Sequence, residues 1–176
     1  MCFEPLRACS FRRFRSLGHL VGQHLHPVSS NHATCLESHH LGSVIAEFPT
    51  TFEAAEASRK HGMNVLMGAP NIVRGGSHSG NVAASKLASL GLLDILSSDY
   101  YPASLLDAAF RVADDEGNRF TLPQAIRLVT KNPASALNLQ DRGEIAEGKR
   151  ADLVLAHRRG EHVHIDHVWR QGKRVF

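Results

Sequence analysis

The chain has 176 residues, enough for one domain with its own core but short of the roughly 250 of a complete eight-stranded α/β barrel. A net charge of +3 and a pI near 9.0 are too mild to point to nucleic acid, and no apolar run is long enough to span a membrane or to serve a secretory signal. Cys2, Cys9 and Cys35 are odd in number and fall in no metal-type spacing, so reduced thiols in the cytoplasm are expected.

Residues 1–35 stand apart in composition. All three cysteines and half of the 12 histidines precede residue 41, while the first lysine is Lys60. Arg7, Arg12, Arg13 and Arg15 supply much of the positive charge, and no helical or strand periodicity is sustained. The segment is expected to be poorly ordered or to lie outside the fold of the rest. A mitochondrial targeting segment or a basic tail would share its arginine-rich, acid-poor character, although its amphipathic face is weak. His24-Leu25-His26 has the H-x-H form in which two side chains at a strand end point the same way and can share a metal. The feeble strand before it, Gly18 to Gln23, favours plain surface histidines.

From Gly42 the chain takes on a βα rhythm. Ser43 to Phe48 reads as a buried strand, and Thr50 with Glu53 as a capping box opening a helix that runs to His61 and stops at Gly62. Met63 to Met67 is the second strand. A glycine-rich loop, Gly68 to Gly80, follows with Arg74 and His78 embedded, then a helix over Asn81 to Leu90. Leu93, Ile95 and Leu96 suit a third buried strand, which ends at Asp99 before Pro102 opens another helix. Strands and helices at these intervals form right-handed parallel units, and their carboxyl-terminal rim is where such folds place chemistry. Glu47, the Arg74 to His78 loop and Asp99 then share one rim. Taken singly, Asp99 also suits a helix cap and the loop a surface connection, and no phosphate-binding P-loop pattern is present.

The remaining elements read as scaffold. Pro102 to Ala113 is amphipathic, Thr121 to Gln124 opens a second helix and Asn132-Pro133 a short third one. Asp114-Asp115-Glu116 is a solvated helix end rather than a metal cluster. Short strands follow at Ala151 to Leu155, His162 to Trp169 and Arg174 to Phe176. In the second of these, His162, His164 and Asp166 alternate with Val163, Ile165 and His167, a polar edge opposite an apolar face. So small a ribbon should lean on another sheet or on the helices.

Thr130-Lys131-Asn132-Pro133-Ala134, followed by Gly143 to Val154, resembles the tail of the amidohydrolase superfamily. Ala46 to Thr51, the Gly68 to Asn81 loop and Ser97-Ser98-Asp99-Tyr100-Tyr101-Pro102 resemble its phosphonate-metabolism branch. The resemblance runs from about Leu36 to Phe176. It implies an α/β fold: the C-terminal part of a (β/α)8 TIM barrel over 36–140 and part of a small β-sandwich over 141–176. It also implies a metal-dependent hydrolase of the carbon-phosphorus lyase pathway that releases diphosphate from α-D-ribose 1-methylphosphonate 5-triphosphate. The cofactor would be a divalent metal ion, zinc or similar, and the partner a phosphorylated small molecule, with no nucleic acid or membrane. By the same resemblance, Asp99 is both metal ligand and catalytic proton acceptor, Glu47 a metal ligand, and Arg74 and His78 bind substrate phosphate.

The first-strand metal motif and several barrel strands of the family have no counterpart here. His24-Leu25-His26 lies too close to Glu47 to stand in, and Ser30 to Thr34 stands where the family carries a His-Asp-Asp strand end. A reading-frame shift upstream of Leu36 would account for both. This truncated chain is therefore expected to be inactive alone or to depend on a missing N-terminal half. A non-catalytic fragment and another amidohydrolase, such as a deaminase or cyclic-amide hydrolase, remain the alternatives.

Overall fold

The computed structural model describes residues 25–27 and 42–176, apart from 78 and 79. The readings of the three cysteines, of His24 and of His78 lie outside the described residues.

Four short strands form one parallel sheet in the order β1 (Leu25–Pro27), β2 (Ile45–Glu47), β3 (Asn64–Gly68) and β4 (Ile95–Ser97). The parallel pairing of the three strands read from sequence is present, with Glu47 opposite Leu66 and Gly68 opposite Ser97. β1 is an addition to that reading. Its backbone pairs in parallel with β2, His26 opposite Ala46, so part of the segment expected to lie outside the fold extends the sheet. Three residues are too few for periodicity to declare a strand.

Alternation along the strands sends side chains to two faces. Val65, Met67 and Leu96 pack with the helical Leu87, Ala108 and Val112 and with Leu128, just past the helix Leu122–Arg127. Ile45, Leu66 and Ile95 face the other way, under Ala136 and Leu137. The helices are α1 (Phe52–Lys60), α2 (Ala69–Arg74), α3 (Ala84–Ser89), α4 (Ser104–Asp114), α5 (Leu122–Arg127) and α6 (Lys131–Ala136). None is long and apolar enough to cross a membrane.

Several local expectations are corrected. The cap of α1 is Thr51, whose Oγ1 accepts from the Ala54 amide at 3.2 Å, so Thr50 and Glu53 form no capping box. The glycine-rich loop begins with a turn and a half of helix, because Ala69, Pro70 and Ile72 are buried and draw it onto the core. Asn132 is not a cap: it lies inside α6 and its Nδ2 donates to the Asp94 carbonyl at 2.8 Å. At α5 the expected start holds, with Gln124 Oε1 accepting from the Thr121 amide at 2.8 Å.

An antiparallel ribbon of β5 (Leu153–Arg159), β6 (His162–Arg170) and β7 (Lys173–Arg174) closes the chain. It leans on α4, where Asp107 accepts from the Val163 amide at 2.8 Å and Asp114 pairs with Arg158. The expected alternation breaks at a bulge. Leu155 pairs with His167 and Ala156 with Ile165, so Asp166 is the extra residue, and Ile165 is exposed. Asp166 instead meets His157 Nδ1 at 2.8 Å. The segment Gly143 to Asp152 folds back onto α6, where Glu144 pairs with both Lys131 and Lys149. Those hydrogen bonds hold the Glu144 carboxyl below its usual range.

Candidate active site

A cleft of about 210 Å³ opens at the carboxyl ends of β3 and β4, the rim expected from the sequence. Gly68, Arg74, Asp99 and Tyr100 line it. Glu47 ends β2 beside it, and its half-buried side chain points to the face shared by Ile45 and Leu66.

Two strand ends turn sharply there. Phe48, at φ 52°, and Asp99, at φ 48°, both hold the left-handed backbone that side chains disfavour. The Phe48 amide still donates to the Leu66 carbonyl at 3.0 Å, so the ladder continues one residue past Glu47. At Asp99 the turn folds the carboxylate back over the end of β3. A Cβ on Gly68 would lie 2.9 Å from Asp99 Oδ2, so only glycine lets the carboxylate rest there. Glu47 registers the proximity. Its carboxyl is raised above the usual range, first by burial and second by the charge of Asp99.

Arg74 reaches the cleft from the last position of α2. Gly75, at φ 79°, caps that helix, and Arg111 Nη1 holds it from behind by donating to the Val73 carbonyl at 3.0 Å. Arg74 Nη1 donates to Tyr100 Oη at 2.9 Å, which ties the β3 unit to the residue after Asp99. Asn71 Oδ1 accepts from the Ala84 amide at 2.9 Å and fixes the start of α3. The structure thus brings Glu47, Asp99 and Arg74 together on one rim. Tyr100, Asn71 and Gly68 are additions, and the sequence marked them only as members of the two rim motifs.

The arrangement offers two carboxylates to a cation or a proton and a tethered guanidinium to an oxyanion. As a metal centre it is incomplete. Among the described residues no group of three or more His, Cys, Asp or Glu converges, whereas catalytic zinc takes three protein ligands. The residues present therefore do not by themselves fit the expected metal ion.

Residues 37–176 match the model of the amidohydrolase family. Over 147 residues the chain is 87% identical to the alpha-D-ribose 1-methylphosphonate 5-triphosphate diphosphatase of Escherichia coli (strain K12), covering 84% of this chain and 39% of that one. It is 33% identical over 134 residues to an adenine deaminase of Ligilactobacillus salivarius (strain UCC118), covering 70% of this chain and 23% of that one. Among solved structures, an amidohydrolase from Thermotoga maritima MSB8 shares the fold with a TM-score of 0.59 at 22% identity, over 85% of this chain and 43% of that one. The chain spans about two-fifths of the length of the E. coli relative.

Proposed function

Because the chain belongs to the amidohydrolase family, with an α/β fold shared by solved members, we propose that it carries the last (β/α) units of the barrel and part of the β-sandwich of a divalent-metal-dependent hydrolase of phosphonate catabolism. Its substrate is α-D-ribose 1-methylphosphonate 5-triphosphate, its released product diphosphate and its setting the cytoplasm. The observation that carries this reading is the 87% identity to the E. coli relative. A match of 147 residues in a chain of 176 necessarily takes in every position from Glu47 to Asp99.

Within that reading the rim residues divide the chemistry. Asp99, poised over Gly68, is the base that accepts the proton of the attacking water. Glu47 and Asp99 would be the donors this chain offers to a divalent metal ion, whose remaining ligands would have to come from outside the described residues. Arg74, oriented by Tyr100, takes a phosphate oxygen of the triphosphate, and His78, four residues on, is assigned the same role.

A second reading, a non-catalytic fragment, is favoured by the incomplete ligand set. Deamination draws only on the more distant 33% relative. The deciding experiment measures diphosphate release and bound zinc or manganese for the purified chain, alone and mixed with the amino-terminal portion of the E. coli relative. Turnover in either preparation, lost in Asp99→Asn and with a raised KM in Arg74→Ala, supports the hydrolase. Absence of turnover in both leaves the fragment.

A further inference from the structure

A second cavity, of about 680 Å³, opens at the opposite end of β4 from the rim cleft, between the segment leading into that strand and the α5 region. Its volume falls in the range of small-molecule sites. Leu90, Leu93 and Phe120 supply an apolar wall, and Arg119 and Arg127 line the same cavity. Both arginines are exposed, and neither guanidinium makes a hydrogen bond or ion pair among the described residues. The acidic residue on the lining, Asp94, does not neutralise them, because its two carboxylate oxygens are taken by Arg59 and by the Val65 amide.

Two guanidinium groups at one cavity present paired donor forks and two positive charges, a match for a dianion such as a phosphate monoester. The adjoining apolar wall gives the rest of such a molecule a surface to cover. We propose that this cavity binds a small phosphate monoester of an apolar or aromatic alcohol, its phosphate on Arg119 and Arg127 and its body against Leu90, Leu93 and Phe120. The site is separate from the rim and does not depend on the hydrolase reading.

Isothermal titration calorimetry of the full chain with phenyl phosphate tests it, with inorganic phosphate as the arm lacking the ring. One saturable site is expected, retained in Arg74→Ala and weakened at least tenfold in Arg119→Ala/Arg127→Ala. Inorganic phosphate should bind that site at least tenfold more weakly than phenyl phosphate. Because both arginines are exposed, the double variant should keep the parent's urea midpoint, which confirms that lost binding is not lost folding. The proposal is overturned by the absence of saturable binding, by loss in Arg74→Ala with retention in the double variant, or by equal affinity for inorganic phosphate.

Discussion

Asp94 and Asp99 bracket β4, and replacing Asp94 should damage the fold rather than the chemistry. Asp94 Oδ2 accepts from the amide of Val65, which is fully buried, at 2.8 Å, and Oδ1 pairs with Arg59. Asp94→Ala leaves a buried strand amide without its side-chain acceptor, a loss of about 1–3 kcal/mol. The Arg59 pair adds at most about 1 kcal/mol, because the arginine side chain is 41% exposed and solvent screens it. Asp94→Ala should therefore lower stability by about 1–4 kcal/mol, and Arg59→Ala by about 0–1 kcal/mol. Asp94→Asn retains an acceptor oxygen and should fall between them. The bond from Asn132 to the Asp94 carbonyl survives in all three, which isolates the side chain. Urea unfolding followed by far-UV circular dichroism gives the comparison, provided the slopes with denaturant agree. Equal losses in Asp94→Ala and Arg59→Ala would refute the assignment to the buried amide.

Glu47 has its carboxyl raised by burial and by Asp99, so between pH 4.5 and the raised folded value the folded state binds more protons than the unfolded one. The stability gained from that protonation is complete below about 4.5 and lost as pH rises through the folded value; Glu47→Gln should lose less of its urea midpoint between pH 4.5 and 7 than the parent, and parallel losses would count against the mechanism. Gly68→Ala places a Cβ 2.9 Å from Asp99 Oδ2 and should push the carboxylate aside. The side chain can move at little energetic cost, so unfolding should shift by less than about 1 kcal/mol while diphosphate release, in the preparation that turns over, falls about a hundredfold. Gly143→Ala meets Ala134 Cβ at 2.7 Å and the Lys131 Cα at 3.1 Å with φ at 94°. Left-handed strain of about 1–2 kcal/mol plus overpacking of about 1–3 kcal/mol should appear as a lowered urea midpoint, and an unchanged midpoint would show that the Gly143 to Asp152 segment does not rest on α6.

What could be read beforehand was set by the length and regularity of each signal. Val65 to Met67 and Ile95-Leu96 are continuous apolar runs between helical patterns, and such runs announce buried parallel strands. The convergence of Glu47 and Asp99 followed from strand ends alone, since parallel strands put all their carboxyl ends on one rim, whereas Arg74 reaches it from the end of α2. Failures arose where tertiary contacts chose between nearly equivalent local options. Thr50 and Thr51 are both competent caps, and Thr51 takes the role while Thr50 gives its carbonyl to the Val82 amide at 2.9 Å. Asn132 suits a cap by propensity, yet the Asp94 carbonyl across the core takes its side chain. The bulge at Asp166 shifts every residue beyond it by one, which no count of alternating residues reveals.

The two aspartates show why composition and spacing cannot replace placement. They are five residues apart, of one type, and flank one short strand. Only the direction of β4 separates them. At its amino end the carboxylate turns inward to Arg59 and the Val65 amide, and its charge is consumed by structure. At its carboxyl end a left-handed turn over a glycine leaves the carboxylate facing Glu47 across the rim. A carboxylate satisfied by a buried amide and an arginine has little left to offer a substrate, whereas one that faces another acid at an open cleft is placed to bind a cation. Exchange of the two outcomes, with Asp99→Asn unfolding the chain and Asp94→Asn abolishing turnover in a folded one, would invert the reading of the strand.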